Sequence, residues 1–407
     1  MKCGLLGRKL SHSYSPQIHS YLGDYPYTLF EQEPENVGQF LQEGDFTAIN
    51  VTIPYKKDVM AFCTELTDCA KKMGAVNTIV RRPDGSLIGH NTDYFGLHYT
   101  FRRMGISLSG KKVLILGSGG ASVTTVIVLR ELGANVVIIS RSGENNYSNL
   151  YLHQDAAMIV NTTPVGMYPN AGESPVDLDI FPHLEGVLDI IYNPARTKLL
   201  LDAAKRNIPC ENGLWMLVAQ AKEAAEWFTG TKIIDDVIPE IYAKMCKRME
   251  NIILIGMPGC GKSTIGKLLA EELARQFVDA DEEIIKKTVM TIPEIFETQG
   301  ETGFRKIETQ VLAELGQKSA LVIATGGGCV TKAENYPLLH QNGTIYWIKR
   351  DISSLPTDGR PLSQAGKLKE MYRIRKPLYD SFADCIVANS GTVGATAEMI
   401  LKGRNNG

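Results

Sequence analysis

The residues best equipped for chemistry sit in Asn251 to Thr264, NIILIGMPGCGKST. Gly256-x-x-x-x-Gly261-Lys262-Ser263 has the Walker A spacing. A glycine-rich loop that opens a helix can wrap phosphate oxygens with backbone N–H groups, and the helix N-terminus adds unpaired amides. Two carboxylates follow in Phe277-Val-Asp279-Ala-Asp281. They are expected at a strand end, on opposite faces, one toward metal and one toward substrate. Gly326-Gly327-Gly328 ends an apolar run and leaves backbone bare for a ligand to touch. Asp358-Gly-Arg360-Pro-Leu reads as a mobile lid, and Arg373-Ile-Arg375-Lys-Pro-Leu-Tyr379 adds further cations.

A second set precedes these residues. Ser13 and Ser15, two hydroxyls at a helix start, can hold a carboxylate, with Ser15 read as N-cap and Pro16 in the first turn. Lys56 stands just past a strand stopped by Pro54. Asn77 and Asp93 place an amide and a carboxylate at two more turns. A lysine beside a carboxylate can supply both the proton and the positive neighbour that a developing alkoxide needs.

The elements that must position these groups are legible in pattern. Lys111 to Leu116 is a strand, Gly117-Ser-Gly119-Gly120-Ala121 a glycine turn, Val123 to Leu132 a helix, and Gly133 to Ile139 a second strand. That βαβ unit has the context of a dinucleotide turn. At the end of the second strand stand Ser140-Arg141-Ser142 instead of an acid. A cation with two hydroxyls suits a 2′-phosphate, so NADP is expected. Asn161-Thr-Thr-Pro and Asp189-Ile-Ile-Tyr192 continue a doubly wound sheet, and Gly213-Leu-x-Met-Leu-x-x-Gln220 opens a helix. Ile252 to Ile255 is a buried parallel strand and Thr264 onward the helix behind the Walker loop.

The totals set bounds. A chain of 407 residues suits two or three cores, and 44% hydrophobic with 22% charged residues describes a soluble globular protein. A net charge of −2 without a dense Lys/Arg run argues against nucleic-acid binding. No apolar stretch reaches the roughly 18 residues of a membrane span. Eight cysteines without CxxC spacing, and no apolar leader after Met1, suggest reduced thiols in the cytoplasm. Cys260 and Cys329 follow strands expected to be neighbours and are read as space-filling, with a redox pair as the other possibility.

Taken in order, Ser13-x-Ser15-Pro, Asn50-Val-Thr52-x-Pro-x-Lys56, Ala75-Val-Asn77-Thr, Asn91-Thr-Asp93, Gly117-x-Gly-Gly-Ala and Gly213-Leu-x-Met-Leu-x-x-Gln220 resemble shikimate dehydrogenase over residues 1–248. The resemblance implies a substrate domain from 1–100 and 213–248, with a Rossmann-like NADP domain over 101–212. It implies Ser13 and Ser15 on the shikimate carboxylate, and Thr52, Asn77 and Gln220 on the ring hydroxyls. Lys56 and Asp93 would be the acid/base pair, with Tyr192 and Gly213 near substrate and nicotinamide. The turn reads GSGG instead of GAGG, and Ser-Arg-Ser replaces the family's Asn-Arg-Thr.

From residue 251 to 407 the ordered Asp-x-Asp, Phe-Arg-x-x-Glu, Gly-Gly-Gly, Arg-Pro-Leu and Arg-x-Pro-Leu-Tyr pattern resembles shikimate kinase. This implies a P-loop domain with a parallel sheet and a phosphate cradle from Gly259, Cys260, Gly261 and Thr264. Lys262 would meet the β/γ-phosphates of ATP, Ser263 would hold Mg²⁺, and Asp279 would help through water. Asp281 would orient or deprotonate the attacking hydroxyl. Arg305 and Arg375 would grip the shikimate carboxylate, Gly326 to Gly328 its hydroxyls, and Arg360 the transferring phosphoryl.

The expected whole is α/β and bifunctional, taking 3-dehydroshikimate and NADPH to shikimate, then shikimate and Mg-ATP to shikimate 3-phosphate. Two other readings stay open: an idle dehydrogenase-like sensor attached to the kinase, and a P-loop half that serves as a regulatory ATPase or acts on another polyol. Quinate is a further possible substrate of the first half.

Overall fold

The computed structural model describes residues 1–10, 13–355 and 365–406. Contacts group the chain into two compact units, one of Met1–Val165, Ser174–Tyr192 and Asp202–Met245, the other of Gly166–Glu173, Asn193–Leu201 and Cys246–Gly407.

The first unit holds two sheets. The first contains β1 (Cys3–Gly7), β2 (Tyr27–Glu31), β3 (Ala48–Val51), β4 (Glu65–Leu66), β5 (Thr78–Arg81) and β6 (Leu87–His90), in the order β2-β1-β3-β5-β6-β4. β2, β1 and β3 run parallel, whereas β5 pairs antiparallel with both β3 and β6. Because β3 and β5 are adjacent and opposed, their ends bring the Asn50 to Lys56 turn and the Asn77 turn together. Leu6, Ile49, Val51, Tyr55 and Ile79 fill the core on one side of this sheet.

The second sheet is parallel throughout: β7 (Lys112–Leu116), β8 (Asn135–Ile139), β9 (Met158–Asn161), β10 (Gly186–Asp189) and β11 (Cys210–Asn212), ordered β11-β10-β9-β7-β8. Strand order reverses beside β7, and the Gly117 turn leaves the sheet there. That switch point is where open α/β sheets bind ligands. Val113 and Ile115 pack with Val128 and Leu129 of the helix Gly120–Glu131. That helix begins at Gly120, three residues before the apolar pattern does.

The second unit is built on β12 (Asn251–Ile255), β13 (Gln276–Asp279), β14 (Leu321–Ala324), β15 (Gly343–Lys349) and β16 (Cys385–Ala388), also all parallel, ordered β13-β14-β12-β15-β16. Every residue of β12 is buried, as expected of a central parallel strand covered on both faces. The reversal falls beside β12, so the Walker loop also leaves its sheet at a switch point.

Three local expectations are corrected. Strand β13 stops at Asp279, and Asp281 lies in the first turn of the helix Ala280–Thr288. Residues i and i+2 of one strand share a face; what separates these two acids is the change from strand to helix. Ser15 is the first residue of the helix Ser15–His19, with Tyr14 as its N-cap. Arg360 lies outside the described residues.

Candidate active sites

In the first unit, Asp93 opens the helix Asp93–Met104 at the end of the turn after β6. Its backbone N–H donates to Asn91 Oδ1 at 3.0 Å. Its carboxylate is held twice: Lys56 Nζ donates to Oδ2 at 2.6 Å and Asn77 Nδ2 to Oδ1 at 3.0 Å. The helix N-terminus is a third source of positive potential. The Lys56 and Asp93 side chains retain 29% and 14% exposure, enough for a ligand to reach both. Asn77 Oδ1 accepts from the Thr92 N–H at 2.8 Å, and Thr92 Oγ1 donates to Gln220 Oε1 at 3.3 Å. Gln220 belongs to the helix Leu214–Thr229 and donates to Leu217 O, so its amide is oriented.

Lys56, Asn77, Asp93 and Gln220 therefore form one cluster. Thr92 joins them, and nothing in a lone threonine between Asn91 and Asp93 marks it in the sequence.

Ser13 Oγ accepts from the Ser15 N–H at 3.2 Å, and between them the Tyr14 ring meets Tyr192 edge-on, centroids 6.1 Å apart. Burial pushes the Tyr192 phenol above its ordinary pKa, so it serves as a neutral hydrogen-bonding group. Thr52 is tied by its N–H to Leu6 O, just past β3. Gly213 caps the helix Leu214–Thr229 so closely that a Cβ would overlap the Ile190 carbonyl.

At the dinucleotide turn, Gly117 has φ +103° and packs on Thr162 and Thr163, a conformation that requires glycine. Above Gly119 and Gly120 there is open space, and Ala121 is the second residue of the helix Gly120–Glu131. Ser140 is half-buried, whereas Arg141 is exposed and has no ion-pair partner among the described residues. Bare amides at a helix start, with an uncompensated guanidinium at the end of β8, fit a phosphorylated dinucleotide.

In the second unit, Gly256, Gly259 and Gly261 take φ +142°, +79° and +102°. Lys262 is buried and donates to Gly256 O at 2.9 Å and Met257 O at 3.2 Å, folded back over its own loop. Cys260 is buried, and its carbonyl is held by Asn389 Nδ2 at 2.7 Å, which braces the loop from behind. Ser263 and Thr264 face outward. Ser263 Oγ donates to Asp279 Oδ2 at 2.7 Å, and Asp279 Oδ1 accepts from the Asp281 N–H at 3.0 Å. A hydroxyl beside a carboxylate, both oxygen donors, fits a hard cation such as Mg²⁺ shared with phosphate. Among the described residues no group of three or more His, Cys, Asp or Glu side chains forms a cage.

The glycine triplet is a meeting point. A Cβ on Gly326 would press on Asp281 and Glu308, on Gly327 against Pro258 of the Walker loop, and on Gly328 into the Arg305 guanidinium. Arg375 Nη1 and the Tyr379 hydroxyl both donate to Gly327 O, at 3.1 and 2.5 Å. Arg305 is buried and paired with the buried Glu308 at 2.7 Å and with Glu301 at 3.3 Å. Burial pushes the Glu308 carboxyl up, against the opposing pull of Arg305. Arg305 Nε and Glu308 Oε1 still lack hydrogen-bond partners. Buried groups left unsatisfied in this way fit a polar ligand that completes them.

Glu308, Glu301 and Tyr379 were not assigned roles from the sequence. The Phe-Arg-x-x-Glu spacing did carry the signal for Glu308, since i and i+3 share a helix face. Gly300, at φ +67°, breaks the helix Ile292–Gly316 just before Glu301, which aims this second segment. Cys260 and Cys329 are both buried, and Cys329 Sγ donates to Thr325 Oγ1 at 3.2 Å.

The chain also matches known protein families. The family model for the shikimate dehydrogenase substrate binding domain matches residues 5–79, and that for shikimate kinase matches 258–403. A shikimate dehydrogenase (NADP(+)) from Clostridium beijerinckii is 35% identical over 260 residues, covering 59% of this chain and 96% of that protein. The crystal structure of shikimate dehydrogenase 1 from Peptoclostridium difficile superposes with a TM-score of 0.55 at 36% identity, over 60% of this chain and 98% of that one. The Thermus thermophilus shikimate 5-dehydrogenase, solved with NADP(H) and shikimate, gives 0.55 at 27% identity over 60% and 99%. The chain therefore belongs to the shikimate dehydrogenase family over its N-terminal 60% and carries a shikimate kinase domain over residues 258–403, which makes it a bifunctional enzyme of the shikimate pathway.

Proposed function

We propose that the first unit reduces 3-dehydroshikimate to shikimate at the Lys56–Asp93 pair and that the second phosphorylates shikimate to shikimate 3-phosphate at the Gly326 to Gly328 turn. The observation that carries the reading is the short, partly buried Lys56–Asp93 contact, braced by Asn77 and adjoining Gln220.

NADPH, when bound along Gly117 to Ala121 with its 2′-phosphate at Ser140 and Arg141, supplies the hydride. This chain's own residues do the rest. Ser13 and Ser15 hold the substrate carboxylate, while Thr52, Asn77 and Gln220 take ring hydroxyls. Lys56 Nζ stands at the carbonyl oxygen, where it stabilises negative charge and delivers a proton, and Asp93 keeps the ammonium aimed. Tyr192 and Gly213 would lie near the substrate and the nicotinamide.

ATP with Mg²⁺ supplies the phosphoryl group of the second step. Lys262, which donates to Gly256 O and Met257 O, would turn to the phosphates held over Gly259 to Thr264. Ser263 and Asp279 hold the cation, Asp281 orients the accepting hydroxyl, and Arg305 with Arg375 grips the carboxylate, for which planar guanidinium suits better than ammonium. Arg360 is assigned to the transferring phosphoryl by sequence resemblance alone. The partners of both reactions are small molecules, and no helix among the described residues is long and apolar enough to cross a membrane.

The purified chain, given 3-dehydroshikimate, NADPH and Mg-ATP, is expected to yield a reduced, singly phosphorylated product by mass spectrometry. Untouched 3-dehydroshikimate, with added shikimate still phosphorylated, would instead make the first unit a binding module.

A further inference from the structure

Tyr27 belongs to β2 and to no motif, yet it lies between the two ends of the proposed dehydrogenase site. Its hydroxyl donates to Asn50 Oδ1 at 2.7 Å. Asn50 is buried, and its Nδ2 donates to Thr78 Oγ1 at 3.2 Å and to Asn77 O at 3.3 Å. Thr78 Oγ1 donates to Asn77 Oδ1 at 3.1 Å, and Asn77 Nδ2 donates to Asp93 Oδ1 at 3.0 Å. Donor and acceptor roles run without conflict from phenol to carboxylate, so the orientation of each amide is determined by its neighbour.

At the other end, the helix Ser15–His19, which Ser15 opens, packs its His19 against Tyr27. The Tyr27 ring is held on one face by His19, stacked at 4.1 Å and 16°, and His19 stacks in turn on Phe228 at 5.4 Å. His19 is itself tied to the Tyr25 hydroxyl at 2.8 Å.

We infer that Tyr27 is a positioning residue for the reduction: stacked on His19, it ties the helix that carries Ser15 at the substrate-carboxylate end to the buried amide chain that aims Asp93, and so sets the spacing between the two ends. The inference rests on the proposed roles of Ser15, Lys56 and Asp93. A rigid ring substrate presents its carboxylate and its carbonyl at a fixed separation. A site that holds both ends must keep that separation to a fraction of an ångström, since a misplacement of about 1 Å costs on the order of a hundredfold in rate.

The test uses the full chain. Tyr27→Phe keeps the ring and removes the hydroxyl; kcat/KM for 3-dehydroshikimate is expected to fall about ten- to a hundredfold, with KM raised and kcat lowered. KM for NADPH and the kinase kinetics of the same polypeptide should not change. Thr78→Val breaks the chain one step further on and is expected to lower kcat more than it raises KM. In the double variant the two losses should combine to less than their product, because both cut one chain.

Wild-type kcat/KM in a folded Tyr27→Phe protein would overturn the inference, as would fully multiplicative losses. If Tyr27→Phe does not fold, wild-type kinetics in Thr78→Val would overturn it alone. Lys56→Met, measured alongside, separates the two levels: retained turnover there removes the underlying reading of the site, whereas its loss beside a normal Tyr27→Phe removes only the positioning role.

Discussion

Lys56 Nζ donates to Asp93 Oδ2 across 2.6 Å, and Asn77 occupies the other oxygen of the same carboxylate. The ammonium is therefore aimed by a group that is itself aimed. Lys56→Met is expected to lower dehydrogenase kcat by about 10²- to 10⁴-fold, the usual contribution of a positioned proton donor, with a smaller change in KM. Asp93→Asn keeps the shape and removes the charge, and should also act mainly on kcat. Steady-state kinetics with the kinase reaction as internal control checks both.

In the second unit the Arg305 guanidinium lies where a side chain on Gly328 would have to go. Gly328→Ala should displace it and its pairing with Glu308. Overpacking of this kind costs about 1 to 3 kcal/mol. Shikimate KM should therefore rise roughly five- to a hundredfold while the dehydrogenase rate holds. An unchanged KM for shikimate in kinase assays would show that Arg305 is not where the carboxylate is read.

Arg141 is exposed and free of ion pairs among the described residues, as a group reserved for a ligand should be. Hydrogen bonds to a charged partner are worth about 1.5 to 3 kcal/mol. Arg141→Gln is accordingly expected to raise KM for NADPH by roughly ten- to a hundredfold and to leave KM for NADH nearly unchanged. Parallel titrations with the two cofactors distinguish this from a general loss of binding.

Burial holds the His19 imidazole neutral, with its pKa lowered to about 3. The unfolded chain takes a proton on that residue near pH 6.5, while the folded one does not. The stability this gives is fully present above about pH 6.5 and is lost as pH falls toward 3, at about 1.4 kcal/mol per pH unit. Urea unfolding followed by dehydrogenase activity should show the midpoint falling between pH 7 and 5. In His19→Asn that fall should be shallower; an equal fall in both proteins would remove His19 as its source.

Contiguous backbone chemistry was readable from residue order. The Walker loop, the Gly117 turn and the apolar runs of β7 and β12 each depend on neighbours a few positions apart, and propensity and spacing act at that range. The same holds for Arg141 after β8. The roles proposed for Lys56, Asp93, Asp281 and Arg305 draw on resemblance to two families. Where β13 ends was misjudged, because Asp279 caps the next helix with its side chain while Asp281 has already entered it, and alternation along a strand does not signal that switch.

Tertiary structure alone decided which groups meet. Lys56 and Asp93 are 37 positions apart, and Thr92 reaches Gln220 across 128. Tyr27 meets Asn50 because β1 lies between their two strands, with parallel pairings on both sides. Arg375 and Tyr379 converge on Gly327 O from a helix late in the chain. A hydrogen bond depends on distance and direction in space, and spacing along a chain encodes these only within a turn or a strand. Beyond that range, the order of strands in each sheet sets them.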